Sequence, residues 1–425
     1  MYKSITKIFS ELSALQSEKI FRILNFSIPL FMGIYIFANP LPLSAINEIC
    51  YYSSVVVLLI LICFKKTTFS LRSPLTLPFF LFALWAVFGL IFTLDFNNTL
   101  HDLRSNLLKC LIIFYLLVNY FNSKKKLEII AWIAIVSTTV FSVGAIIQYY
   151  FIEGFPFTEP LGRTFRGEMT IDYLGFTTIF GICLNLHFLY KVKNIFYKTF
   201  LASSFLIMTI TTLLTKSRGS LLGLLAALVI LCFHNKKNII FIVMAILLIL
   251  IMPISDRIKQ VGFTKDIRIK MNRLTIEVIK DHPIFGLGFG GQIFINNSLV
   301  DLAKYNSLLP PEYQQNAATG IVGSAHNTIL DVAVRTGVVG LILFLSILIT
   351  SLWMLWRTLR LKRGEYFTSW AICLFACFVS FMIPALFADA AFGPRVVSFY
   401  TILAMIAILW NIVQKEKNEH AVESH

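Results

Sequence analysis

The chain has 425 residues, a hydrophobic fraction of 57%, a charged fraction of 14% and a mean hydropathy of +0.77. Soluble proteins carry about 25% charged residues, so this composition excludes a soluble globular protein and indicates an integral membrane protein. The net charge of +15 does not favour a nucleic-acid partner, because anionic lipid headgroups account for most of the cations in short connections. The seven cysteines show no metal-ligand spacing and are interpreted as packing residues.

Apolar segments of spanning length recur along the chain, without the alternation typical of strands. We therefore predict an all-α membrane protein with about twelve transmembrane helices. The first segment lacks a small-residue cleavage site, so a removable signal peptide is not expected. The predicted ranges are 24–43, 49–64, 75–94, 107–121, 128–150, 171–190, 199–214, 219–233, 238–253, 328–356, 366–388 and 396–414.

Lysine and arginine accumulate in every second connection between these helices. The positive-inside rule assigns those connections to the cytoplasm, and both termini then fall there as well. The predicted organisation is nine spans over 1–253, one large outer segment over 254–327, three spans over 328–414 and a cytoplasmic tail over 415–425. The cations concerned are Lys65, Lys66, Arg72, Lys124, Lys125, Lys126, Lys191, Lys193, Lys198, Lys236, Lys237, Arg357, Arg360, Lys362 and Arg363.

The outer segment has the size of a lid over a membrane site. Apolar residues at helical spacing predict a helix that Pro283 stops, and a glycine-rich run follows. That run lacks the strand and the Lys-Ser/Thr ending of a phosphate-binding loop, so a tight turn with close packing is expected. The helical positions are Ile267, Met271, Leu274, Val278 and Ile279, and the glycines are Gly286, Gly288, Gly290 and Gly291.

The outer connections also hold cations, against the positive-inside rule, and a polyanionic ligand on the outer face explains their placement. They are Arg163, Arg166, Lys216, Arg218, Arg268 and Arg395, accompanied by His326. Arg218 can bind two phosphate oxygens with its planar fork, or it can anchor a helix end by snorkelling. Lys216 adds charge without that geometry. For Arg163 and Arg166 the alternative is pairing with nearby carboxylates.

His326 precedes the tenth predicted helix, with Ser324 or Asn327 as its cap. An imidazole has an ordinary pKa of about 6.5 and can accept a hydroxyl proton near neutral pH, although a lone histidine more often marks an interface. Asp331 and Arg335 on the same helix are expected to pair at i, i+4.

The last outer connection supplies Asp389 and Arg395. Asp389 can orient the histidine or bind a sugar hydroxyl, and Arg395 can join a phosphate site. The two can equally form a private ion pair, and the residues alone leave this open.

At these residues the chain resembles the O-antigen ligases, whose superfamily also holds O-antigen polymerases and protein O-oligosaccharyltransferases. The family pattern of His, then Asn, Ser or Gln, nine residues, Gly, two residues and Gly is met by His326, Asn327, Gly337 and Gly340. The Arg, three residues, Leu pattern is met by Arg218 and Leu222. Arg268 stands fifteen residues before a Pro283, Phe285, Gly286, Gly288 run. Two departures are Asn272, where relatives often carry an aromatic, and the lack of Pro-Asn after Arg163.

The resemblance implies a GT-C-like membrane glycosyltransferase that moves O-antigen from undecaprenyl pyrophosphate to lipid A-core, at the periplasmic face of the bacterial inner membrane. His326 would then be the general base, and Arg218 would stabilise the leaving pyrophosphate. Arg268, Arg163, Arg166, Lys216, Asn327, Asp389 and Arg395 would bind pyrophosphate or sugar. No metal, cofactor or ATP is expected. The alternatives are an O-antigen polymerase and, more distantly, a flippase for lipid-linked oligosaccharides.

Overall fold

A computed structural model describes residues 2–162, 171–234, 239–240, 243, 267–316, 320–361, 364–390, 392 and 396–423. No β-strand occurs in those ranges, so the predicted all-α class is confirmed. The described α-helices, numbered in chain order, are α1 (Tyr2–Ala38), α2 (Ser44–Cys63), α3 (Thr76–Phe88), α4 (Phe96–Asp102), α5 (Lys109–Tyr120), α6 (Lys124–Ile146), α7 (Ile171–Leu189), α8 (Ile195–Leu214), α9 (Arg218–His234), α10 (Ile267–Asp281), α11 (Leu302–Ser307), α12 (Thr328–Arg360), α13 (Glu365–Ala385) and α14 (Val396–Glu423).

Short helical turns of other kinds extend three of these helices. A 3₁₀ turn at Gly89–Ile91 follows α3, a π-helical stretch at Leu103–Leu108 joins α4 to α5, and another at Ile147–Ile152 continues α6. Among the described residues, eight helical stretches are long and apolar enough to cross a membrane, and three shorter apolar helices accompany them. Together they correspond to eleven of the twelve predicted spans. The predicted span 238–253 falls almost wholly outside the described residues.

Large apolar side chains on the spanning helices remain exposed, as expected for surfaces that contact lipid rather than water. Phe26 on α1 is 70% exposed, and Ile349 on α12 is 65% exposed. By contrast, α14 is buried along most of its apolar length and forms the centre of the bundle. The protein is therefore a multi-pass helical bundle with α14 inside.

The helix termini gather at two ends of the bundle. One end, called the Lys124 end, holds the start of α6, where the Lys124 ammonium lies 2.6 Å from Glu416 of α14 and 4.7 Å from the Phe367 ring of α13. At the other end, called the His326 end, the Tyr173 hydroxyl of α7 donates to the Asn39 carbonyl after α1, at 3.0 Å. This arrangement agrees with the predicted alternation of connections.

Residues 267–327, called the connecting segment, fold on a small apolar core of their own, and 317–319 within them are not described. Four of the five predicted apolar positions of helix α10 are buried or partly buried, whereas Ile267 is 49% exposed, and the helix ends two residues before Pro283. Asp281 then ties α10 to α11, because Lys304 and Tyr305 donate to its carboxylate and lower its pKa from the ordinary 3.8. The core consists of Leu274, Val278, Leu287, Ile293, Phe294, Val300, Leu302, Tyr305, Leu309 and, from α12, Val334.

The connecting segment docks on a break in α12. Gly337 has φ +71° and ψ −178°, which interrupts the helix and leaves carbonyls before it without their usual partners. Leu287 N donates to Val334 O at 2.8 Å, and Gly288 N donates to Arg335 O at 3.1 Å. In return, Val338 N donates to Pro283 O at 2.8 Å. The glycine-rich run is thus the close-packed turn that its composition predicts, and it completes the hydrogen bonds of a helix.

Candidate active site

His326 lies at the entrance to α12 in a strained backbone conformation. Its φ is +39°, and the described residues contain only two other non-glycine residues with positive φ, Lys65 and Lys216. A side chain in this region is uncommon, and such outliers concentrate at functional sites. His326 Nδ1 is buried and has no hydrogen-bond partner among the described residues. The imidazole therefore keeps one ring nitrogen uncommitted within the fold.

Asn327 fixes the backbone next to this histidine. Its side-chain oxygen accepts hydrogen bonds from Ile329 N at 2.9 Å and from Leu330 N at 3.3 Å, so Asn327 is the N-cap of α12. Of the two predicted caps, Asn327 is the one found, and Ser324 has another partner. The asparagine of the His-Asn pair therefore has a structural task that places the histidine just outside the first turn.

The turn after α13 is fastened to the same helix entrance. The Thr328 hydroxyl donates to Ala388 O at 2.8 Å and accepts from Ala390 N at 2.9 Å. Between those two residues, Asp389 accepts a hydrogen bond from the Ser324 hydroxyl at 3.2 Å. This bond joins Asp389 to Ser324, two residues before the histidine. Asp389 is thus placed beside the approach to His326, while Arg395, its expected alternative partner, lies outside the described residues.

Arg218 is the first residue of α9, at the same end of the bundle. Ser220 N donates to the Ser217 side chain at 3.4 Å, which caps the turn that carries the arginine. The next residue, Gly219, packs so closely on α13 that a Cβ there would lie 3.3 Å from Pro384 Cα and 3.4 Å from Phe387 Cδ2. Those residues lead directly into the turn that Thr328 holds. One short piece of chain, 384–390, therefore lies between the arginine and the histidine.

Lys216 joins this end through the connection between α8 and α9. Its φ is +49°, and its ammonium donates to the Thr158 carbonyl. Leu161 N donates to Leu214 O at 2.8 Å, so the chain that leads toward residue 163 lies along the end of α8. Arg163 and Arg166 themselves lie outside the described residues, and their role stays a prediction.

Arg268 lies in the first turn of α10 and is partly buried. Two residues later, the Lys270 ammonium donates to Gln314 O at 2.7 Å. Gln315 in turn bonds both backbone groups of Val322, accepting from its N at 2.9 Å and donating to its O at 3.3 Å. The start of α10 is thereby connected to the irregular stretch that ends at His326.

Residues 203–345 match a family model described as O-antigen ligase. The match covers about a third of the chain and shows a similarity to this family over these residues. The matched segment contains five of the predicted site residues, namely Lys216, Arg218, Arg268, His326 and Asn327. Asp389 lies beyond it, as do Arg163, Arg166 and Arg395. No curated protein sequence matches the chain significantly.

Within the matched segment, Arg335 holds a buried charge network that the sequence predicts only in part. The expected bond to Asp331 is confirmed, with Nε 2.8 Å from Oδ1. Arg335 Nη1 also lies 3.8 Å from Asp102 Oδ2 of α4 and donates to Phe289 O at 3.3 Å. Gly291 N donates to the same Asp102 oxygen at 2.7 Å.

This network joins α4, the glycine-rich run and α12, and the role of Asp102 was missed from the sequence. The only available signal was that Asp102 falls in an outer connection, between the third and fourth predicted spans. Arg335 and its carboxylates are mostly buried, with side-chain exposures of 14% for Arg335 and Asp102 and 7% for Asp331. The network therefore supports the position of the connecting segment rather than presenting a free cation to a ligand.

Proposed function

We propose that this protein is an O-antigen ligase, which transfers O-antigen polysaccharide from undecaprenyl pyrophosphate to lipid A-core oligosaccharide. The family match supports a glycosyltransferase of the ligase or polymerase type. The observation that carries the proposal is the uncommitted Nδ1 of His326, held on a strained backbone beside Asn327 within the matched segment. A general base needs such a nitrogen, since a ring atom already bound to the fold cannot take a substrate proton.

In the proposed reaction, His326 takes the proton of an acceptor hydroxyl on lipid A-core. The freed oxygen attacks the anomeric carbon of the glycan, and the bond from that carbon to the pyrophosphate oxygen breaks. The electron pair of the broken bond leaves with undecaprenyl pyrophosphate, and the anomeric configuration inverts. The energy comes from the donor bond itself, so neither ATP nor a metal ion is needed.

Arg218 and Arg268 stabilise the negative charge that grows on the leaving pyrophosphate. Arg218 is suited to this role because it stands at the start of α9, where backbone N–H groups also favour an anion. Lys216, Arg163, Arg166 and Arg395 contribute further positive charge, and Asp389 contacts sugar hydroxyls. Among the described residues, no group of three or more His, Cys, Asp or Glu side chains has metal-binding geometry.

The proposed orientation puts the His326 end in the periplasm of the bacterial inner membrane and both termini in the cytoplasm. The lysines and arginines at the Lys124 end support it through the positive-inside rule. The connecting segment then acts as a lid, anchored by its glycine-rich run on α12 and able to close over both lipid substrates elsewhere along its length.

A reconstituted transfer assay tests this proposal. Purified protein in vesicles receives lipid-linked O-antigen and lipid A-core, and native protein is compared with His326→Ala. The matched control is His282→Ala, which removes another histidine of the connecting segment. We expect product with the native protein and the control, no product with a folded His326→Ala, and undiminished product with EDTA and without ATP. Loss of product in EDTA would refute the metal-independent mechanism.

The polymerase alternative uses the same donor but a second lipid-linked repeat as acceptor. Chain growth from the donor alone, with no transfer to lipid A-core, would establish it. A flippase would translocate the donor without joining glycans. Absence of product in both reactions would favour this alternative.

A further inference from the structure

A large apolar groove lies on the lipid-facing side of the bundle, away from the candidate active site. It has a volume of 640 Å³, within the usual range for ligand sites, and lies between α1 and α6 beside the end of α5. Its apolar lining includes Phe26, Leu30 and Ile133, while Arg22 and Lys126 lie at one end. Lining residues on α1 run from Arg22 to Phe37, about 22 Å along a helix at 1.5 Å per residue. The groove therefore has the length of a lipid chain.

The sequence of α1 explains why the groove exists. Gly33 supplies no side chain where α1 meets α6, and a Cβ there would lie 3.2 Å from Ile133 Cδ1. Nearer the His326 end, the Ser137 hydroxyl donates to Phe37 O at 2.5 Å and ties the two helices together. Pro29 lines the groove from within α1. A close contact between α1 and α6 thus bounds the groove, whose lining is mostly apolar.

The positive charges of Arg22 and Lys126 lie at the Lys124 end of this groove. Lys126 donates to Tyr120 O at 2.8 Å and keeps further N–H groups for another acceptor. Arg22 lies 2.9 Å from Glu18, but both side chains are exposed, at 80% and 57%, so this pair is weak and open to competition. An apolar groove with two cations at one end is complementary to a phospholipid, whose acyl chain is apolar and whose phosphate is negatively charged.

We propose that this groove binds one anionic phospholipid of the surrounding leaflet, with an acyl chain along α1 and its phosphate at Arg22 and Lys126. A polyprenyl pyrophosphate is a poorer fit, because its head would then lie at the opposite end of the bundle from His326. The bound lipid fills the space between α1 and α6 and stabilises their contact. Only the exclusion of a polyprenyl pyrophosphate rests on the proposed glycosyl transfer.

Native mass spectrometry of the detergent-purified protein tests the proposal, with phosphatidylglycerol or phosphatidylcholine added. We expect a single tightly held phosphatidylglycerol that phosphatidylcholine does not replace. In the double variant Arg22→Ala, Lys126→Ala its affinity should fall roughly 30-fold, since each cation near a lipid headgroup contributes about a fivefold factor. The matched control is Lys19→Ala, Lys125→Ala, which removes two cations from the same end without touching the groove lining. This control should retain the lipid.

A second variant tests the apolar part without changing charge. Leu30 lines the groove and is 50% exposed, so Leu30→Trp fills part of the groove without adding volume to the buried core. Lipid occupancy should fall while the melting temperature without lipid stays close to that of the native protein. Equal loss in the groove and control charge variants would refute a specific headgroup site. Preferred retention of undecaprenyl phosphate over phosphatidylglycerol would refute the proposed occupant.

Discussion

Substitution of Gly337 by alanine should release the connecting segment from α12. The glycine has φ +71° and ψ −178°, a conformation that is essentially restricted to glycine and costs other residues about 1 to 3 kcal/mol. A Cβ at this position would lie 1.9 Å from Ile284 O and 2.8 Å from Phe285 N, both backbone atoms. No side-chain rotation relieves such a contact, so the backbone of the segment has to move.

The magnitude follows from the bonds that the movement breaks. Three backbone hydrogen bonds hold residues 283–288 to α12, and each contributes about 0.5 to 1.5 kcal/mol net. Added to the backbone strain, the cost of keeping the segment docked rises by roughly 2.5 to 7.5 kcal/mol. At about 1.4 kcal/mol per factor of ten, the undocked population should increase by a factor of roughly 60 to 200,000.

Limited proteolysis in detergent measures that population, because cleavage tracks the open form when reclosing is fast. Two glycine controls separate the causes. Gly320→Ala has φ +89° but no atom within 4 Å of the new Cβ, so it carries only the backbone cost of about 1 to 2 kcal/mol. Gly89→Ala, at φ −60° and with open space, should be neutral. If Gly337→Ala is cleaved no faster than Gly320→Ala, the docking argument is wrong.

Three further substitutions address the site and its support. Arg218→Lys keeps the charge but loses the planar fork, so a bidentate role predicts a rate loss of at least about 30-fold in the transfer assay, whereas simple helix anchoring predicts a near-native rate. Arg335→Leu leaves Asp331 and Asp102 buried without their cation, which should cost about 3 kcal/mol in thermal unfolding; an unchanged melting temperature would contradict the network. Thr328→Val removes both bonds to the turn after α13 and should destabilise the protein by about 2 kcal/mol, whereas Thr328→Ser, which keeps them, should melt like the native protein.

Features that depend on local pattern could be predicted from the sequence. Apolar length predicted the spans and helical spacing predicted α10. The N-cap preferences of serine and asparagine left Ser324 and Asn327 as candidate caps, of which Asn327 is the one found. The pairing of Asp331 with Arg335 followed from the i, i+4 geometry of a helix. In each case the interacting residues are neighbours along the chain, so their spacing carries the information.

Features that depend on distant parts of the chain could not be predicted in this way. Gly337 lies within a long apolar helix pattern, and nothing local indicates that the helix breaks there to receive backbone groups from residues 283–288. Asp102 is separated from Arg335 by most of the chain, and no spacing rule connects them. The extension of α1 back to Tyr2 was also unexpected, because its first residues are too polar to belong to a span.

The seam between the connecting segment and α12 is made largely of peptide groups, and it requires residues without side chains at Gly337 and at Gly286, where a Cβ would lie 2.5 Å from Val334 O. Hydrogen bonds between peptide groups do not depend on which side chains the neighbouring residues carry. We therefore expect the exposed positions of the stretch 292–316 to tolerate replacement, while its two ends and its buried core residues stay as they are. Those core residues are Ile293, Phe294, Val300, Leu302, Tyr305 and Leu309. Sequence change at those exposed positions would leave the backbone hydrogen bonds to α12 intact.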